Sequence, residues 1–303
     1  MLADSGFTWD LIEDVGRLLE FHFMVNAYRA GTIVAVVAGV VGWFMVLRRQ
    51  TFAGHTLSVV AFPGAAGATL VGISALYGYF GFCLAAALAI AAVPRVGRHA
   101  TSEESAVIGT VQAFALACGF LFVTLYGGLL DSVNSLLFGS FLGVTDGQVA
   151  TLLVVGVAAL AVVASIGRPL LFASLDPDVA AAHGVPVRLL SVVFLVVLGV
   201  AVAEASQITG ALLVFALLVV PAATAQVVTA RPVLGLVLSV LIGVGVTWLA
   251  LACSYFSDQP IGFFVTTLAF AVYLAAHGGR WVVGRWMAAR DGAARPAPTG
   301  IAA

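Results

Sequence analysis

FMVNAYRAGTIVAVVAGVVGWFMVLRRQ, residues 23–50, decides the fold class of this chain. Only one charge, Arg29, interrupts residues 23–47 before Arg48 and Arg49 close the run. A membrane-spanning helix needs about 20 mostly apolar residues, so 23–47 reads as one span and the paired arginines as its flank. The same template, moved outward along the chain, finds about nine candidates: 23–47, 56–77, 79–94, 105–126, 149–167, 187–205, 208–228, 232–254 and 261–279. The second and third are short and almost contiguous, which leaves eight as the alternative count.

Composition agrees. Of 303 residues, 62% are hydrophobic and 9% charged, with a mean hydropathy of +1.14; soluble chains carry about 25% charged residues. The expected fold is therefore all-α, a polytopic membrane bundle. Thirteen basic residues against fourteen acidic ones give a net charge of -1, with no basic excess to neutralise a nucleic-acid backbone. Every cation is arginine and the chain has no lysine. That removes a P-loop, whose lysine reaches the β/γ-phosphates, and Schiff-base catalysis, which needs an amine. Any ATP used must be hydrolysed by a separate subunit. Cys83, Cys118 and Cys253 sit in apolar runs without CxxC spacing and read as small hydrophobes.

Short cytoplasmic loops hold the positive excess in membrane proteins. With nine spans and the N-terminus outside, Arg48, Arg49, Arg95, Arg98, Arg168, Arg188, Arg231, Arg280, Arg285, Arg290 and Arg295 fall inside, and only Arg17 and Arg29 fall toward the outside. The expected organisation is an amphipathic interfacial segment at 1–22, with Phe7, Leu11, Val15, Leu18 and Leu19 at helical spacing, a transmembrane domain at 23–280, and a basic, flexible cytoplasmic tail at 281–303. The acidic first residues do not resemble a cleaved signal peptide.

Three segments depart from plain lipid anchors. Residues 127–148 (GGLLDSVNSLLFGSFLGVTDGQ) are too apolar for a solvated loop and too glycine-broken for a span, and read as half-helices dipping in from the outer face, where surrounding protein tolerates them, with a surface loop carrying a hydrophobic patch as the alternative. Pro63 and Gly64 in one helix and Pro221 in another mark expected kinks beside a translocation route. The loop 168–188 (RPLLFASLDPDVAAAHGVPVR) carries the strongest local signal. Asp176 suits an N-cap, Pro177 the first helical position and Asp178 the helix dipole; Val179, Ala180, Ala181, Ala182 and His183 continue the turns, and Gly184 with Pro186 ends them. A short helix capped at both ends on the cytoplasmic face reads as a docking element; the alternative, a turn that merely joins two spans, would not need both caps.

Five stretches in order then resemble a known family, the membrane permeases of bacterial high-affinity zinc, manganese and iron(II) ABC importers: residues 23–64, EESAVIGT at 103–110, NSLLFGSFLGV at 134–144, LDPDVAAAHGVPVRLL through VPAATA at 175–225, and SYFSDQPIGFFV at 254–265. The resemblance covers about residues 22–280. It implies a fold similar to the vitamin B12 and siderophore importer permeases, and a bacterial cytoplasmic membrane location. It also implies an ATPase subunit docking on residues 176–184, an extracytoplasmic metal-binding lipoprotein and a second permease copy. A divalent metal would be cargo, with no tightly bound cofactor.

The family's second span opens with a G-D-[AT]-[LIV]-[AS]-H pattern, suited to holding a divalent cation in transit. Here His55 stands at the aspartate position and Val59 at the histidine position. Imidazole suits zinc better than manganese, so the expected cargo is zinc, with manganese or iron next. His55 has a plain alternative as an interfacial histidine. Ser58, one turn on, offers an oxygen or bonds its own helix. Glu204 faces a cavity or the solvated outer interface, and Gln207 matches a recurrent family glutamine. Asp131 and Asn134 either meet arriving cargo in an outer vestibule or cap a helix. Competing classes are a secondary transporter driven by an ion gradient, which needs more intramembrane ionisable groups than Glu204 and His55, and an ABC permease for a non-metal substrate. No Ser/His/Asp set or HExxH supports an enzyme.

Overall fold

The structure, a computed structural model, describes residues 20–92, 100–126, 136–137, 139, 143–211, 213–257 and 259–293. The regular elements among them are helices: α1 (His22–Leu47), α2 (Thr51–Val71), α3 (Ala75–Ala92), α4 (Ala100–Tyr126), α5 (Asp146–Leu175), α6 (Pro177–Ala182), α7 (Val187–Thr209), α8 (Val214–Val228), α9 (Pro232–Ser257) and α10 (Ile261–Ala293). Eight are long and apolar enough to cross a membrane: α1 to α5, α7, α9 and α10. α1, α2 and α7 form the interior. α4, α5, α9 and α10 turn large apolar side chains outward, among them Phe114, Phe120, Val154, Leu241 and Phe270, as helices facing lipid do.

Lipid gives apolar helices no reason to associate by hydrophobicity, so close packing of small residues holds them together. α2 and α3 run antiparallel and touch through Gly64 and Gly78, where a Cβ on either residue would collide with the other's carbonyl. α1 and α9 are antiparallel, with Ser239 Oγ donating to the Gly39 carbonyl (2.8 Å) and Trp248 Nε1 to Thr32 Oγ1 (2.9 Å). α2 and α4 are parallel, tied by Thr56 Oγ1 to Gln112 Oε1 at 3.0 Å.

The membrane-crossing role of α8 follows from these neighbours. α1 ends where α7 begins, since Arg48 Nη2 donates to Ser191 Oγ (2.7 Å). Because α9 is also antiparallel to α1, α7 and α9 point the same way, and the chain between them must return across the bundle. α8 has only 15 residues, about 22 Å at 1.5 Å per residue, and the non-helical residues Gly210, Ala211 and Leu213 before it cover the rest. That irregular backbone is tolerated because protein surrounds it: Gly210, Ala211 and Leu213 are buried, and the Ala211 N–H donates to the Leu136 carbonyl (3.3 Å).

Several sequence boundaries move. α2 starts at Thr51 and stops at Gly72, whose φ is 81°, so 56–77 straddles a turn that hydropathy does not register. The candidate 208–228 gives its first residues to α7. α5 continues through Arg168 and Pro169 to Leu175, which reduces the supposed loop 168–188 to α6 and its caps. The basic residues from 281 to 293, expected as flexible tail, extend α10, where the Arg285 guanidinium lies 4.6 Å from the Trp281 ring one turn earlier. Asp131 and Asn134, and the amphipathic segment up to residue 19, lie outside the described residues. Leu136 and Gly139 of the dipping segment are described, and Gly139 sits against the Ile208 carbonyl at the end of α7.

Candidate transport site and docking helix

α6 projects from the end of the bundle that holds Arg48, Arg49, Arg188, Arg231 and Arg280. Asp176 Oδ1 accepts from the Val179 N–H (3.0 Å) and Pro177 opens the first turn. At the other end the Gly184 N–H donates to Ala181 (3.0 Å) and the Val185 N–H to Ala180 (3.1 Å). This pair of bonds closes a helix when the residue after the cap is left-handed, and Gly184 has φ 80°. Ala180 is fully buried and seats the helix, while Asp178, Val179, Ala181, Ala182 and His183 are exposed. His183 Nδ1 lies 2.9 Å from the Val179 carbonyl and its ring packs edge-on against Phe172.

Beside α6 the turn between α1 and α2 takes the same closed form with a residue other than glycine. The Arg49 N–H donates to Val46 and the Gln50 N–H to Met45, with Arg49 at φ 57°. A side-chain-bearing residue in that conformation costs about 1–2 kcal/mol. Arg48 projects from this turn and donates to Ser174 Oγ of α5 (3.2 Å) and Ser191 Oγ of α7 (2.7 Å), its guanidinium lying 5.4 Å from the centre of the Phe194 ring. The sequence marks Arg48 only as a topological charge; serines 126 and 143 residues away give no local signal of the contact.

The proposed transit residues do not form one site. His55 lies one turn into α2, half-buried, with its ring edge-on to Phe215 of α8 (4.9 Å) and its Nδ1 buried without a hydrogen-bond partner. Ser58 Oγ donates to the His55 carbonyl (2.7 Å), the plain reading for a serine in such a helix. Val59 is buried and offers no ligand. Glu204 and Gln207 belong to the far end of α7, 13 and 16 residues beyond Ser191, about 20 and 24 Å along the helix. Glu204 is 1% exposed. Both of its carboxylate oxygens lack a partner, and a Cβ added at Gly156 would stand 2.9 Å from Oε1 and 3.0 Å from Val37 Cγ2. Among the described residues no three His, Cys, Asp or Glu side chains gather as metal ligands would.

Gln207 instead lines a cavity of about 410 Å³ at that far end, with Ser74, Tyr79, Thr145, Gln148 and Thr151. Among the described residues its polar lining is neutral. Next to it, Asp146 at the start of α5 accepts from Asn26 Nδ2 (3.0 Å) and pairs with His22 Nε2 (3.1 Å), joining α1 to α5.

Residues 20–278 match the family model described as the ABC 3 transport family. The chain belongs to this family. Members similar to it include the manganese transport system membrane protein MntC of Halalkalibacterium halodurans, 30% identical over 86% of this chain and 88% of that protein. The chelated iron transport system membrane protein YfeC of Yersinia pestis is 30% identical over 88% and 89%. The solved PsaBC complex from Streptococcus pneumoniae superposes on 88% of this chain and 94% of its own with a TM-score of 0.77 at 28% identity. The polytopic bundle is thus the family's fold, and residues 20–278 carry it.

Proposed function

We propose that this protein is the permease subunit of an ATP-driven importer for a divalent transition metal in a bacterial cytoplasmic membrane. It works with a second permease copy, cytoplasmic ATPase subunits that dock on α6, and an extracytoplasmic metal-binding lipoprotein. The N-terminus lies outside and the C-terminus inside. The observation that carries this reading is α6, a helix capped at both ends and exposed at the arginine-rich end of the bundle. That end is the cytoplasmic one by the distribution of positive charge. Relatives named for manganese and chelated iron favour manganese or iron(II) as cargo. Zinc is the second reading, favoured by the unpartnered imidazole of His55.

The test is uptake by proteoliposomes holding the permease with the ATPase and binding protein from its own gene neighbourhood. ATP-dependent accumulation of manganese or iron(II), with zinc competing weakly, is the expected result. Zinc uptake alone selects the second reading. Failure of all three metals to be taken up or to stimulate ATP hydrolysis refutes a metal importer.

A further inference from the structure

We infer that Arg48 is the positioning residue that passes movement of α6 to the helix carrying His55. Arg48 occupies the only three residues, 48–50, that separate α1 from α2, and its guanidinium reaches both legs of the hairpin that holds α6. Ser174 stands two residues before the Asp176 cap of α6; Ser191 stands in the first turns of α7 after it. Each serine hydroxyl proton is already committed within its own helix, Ser174 to the Leu170 carbonyl (2.5 Å) and Ser191 to the Val187 carbonyl (3.0 Å). Their lone pairs are therefore oriented to accept from Arg48, at 3.2 and 2.7 Å. Gln50 Oε1 accepts from Nε at 3.4 Å, which ties the same guanidinium to the cap of α2.

The turn itself transmits rather than absorbs. Its backbone is closed by the bonds from Arg48 to Phe44, Arg49 to Val46 and Gln50 to Met45, and Gly54 sits directly on the Met45 sulfur. A displacement of Ser174 and Ser191 toward or away from the membrane thus reaches Thr51 within three residues and His55 one turn later. The planar guanidinium suits this role because its donors are fixed relative to one another, whereas an ammonium is a point charge on a flexible stem.

This inference rests on the reading of α6 as the ATPase-docking helix, so manganese import and ATP hydrolysis are measured in the same proteoliposomes of the complete transporter. Arg48→Gln is expected to keep assembly and hydrolysis but lower manganese imported per ATP about tenfold, the scale of one lost hydrogen bond to a charged group. Arg48→Lys should recover part of the ratio. The double variant Ser174→Ala with Ser191→Ala should reproduce the loss with the arginine present. A residue that only stabilised the bundle would lower the amount of assembled transporter and leave the ratio unchanged. An unchanged ratio in Arg48→Gln overturns the inference, and if that variant does not assemble, an unchanged ratio in the double-serine variant overturns it. Absence of import by the unsubstituted transporter refutes the proposed function instead, so the two failures are distinct.

Discussion

Glu204 and His55 are half-told by their residue types, because the same side chain is functional or inert according to what surrounds it. Both oxygens of Glu204 are buried without a partner among Ile33, Val37 and Gly156, and leaving such a group unsatisfied costs about 1–3 kcal/mol. Glu204→Met fills similar volume without the polar atoms, so the purified protein should melt at a higher temperature by a stabilisation of that order. A lower melting temperature would mean that the carboxyl has a stabilising partner. For His55 the competing roles are ligand and aromatic spacer against Phe215, which two substitutions separate. His55→Ala removes both, while His55→Phe keeps the ring packing. If imidazole touches the metal, both variants should lose uptake by about tenfold or more, the scale on which even supporting residues of a metal site act. Recovery in His55→Phe would assign the residue to packing.

α6 was legible in the sequence because its signals are local: Asp176, Pro177 and Gly184 stand at their cap positions whatever the rest of the chain does, and the structure places them there. Gly184→Val forces a β-branched residue into the left-handed region at about 1–2 kcal/mol, although open space surrounds the site. The variant should therefore fold and reach the membrane yet lose ATP-driven uptake, because the end of α6 unwinds rather than the bundle. Normal uptake and ATPase stimulation in Gly184→Val would remove α6 from the coupling role. The break between α2 and α3 was not legible to the same degree. Hydropathy is blind to the turn at Gly72, and both sides of it are apolar. Nor does a local pattern announce the contact of Gly64 with Gly78 or the reach of Arg48 to Ser174 and Ser191, since each depends on how distant segments cross.

At the scale of the whole molecule, the number of crossings and the side of each end are one problem. A count by length alone gives eight, with both termini on one side. The pairing of α1 with α7 through Arg48 and with α9 through Ser239 requires α8 to cross as well, which puts the start of α1 and the end of α10 at opposite ends of the bundle, the arrangement the arginine pattern in the sequence predicts. A count by helix length passes over α8, although the sequence window 208–228 does not, because the buried, non-helical residues Gly210, Ala211 and Leu213 share its path. The geometry makes a definite prediction for two exposed positions: Ser257 at the end of α9 lies opposite Ala182 on α6. With Cys83, Cys118 and Cys253 replaced, an impermeant maleimide applied to intact cells should label Ser257→Cys and leave Ala182→Cys unlabelled until the membrane is permeabilised. The reverse pattern would invert the orientation drawn from the arginines. Labelling of both from outside would contradict the antiparallel pairing of α1 with α7 and α9, because no arrangement with those contacts leaves α6 and the end of α9 on one face.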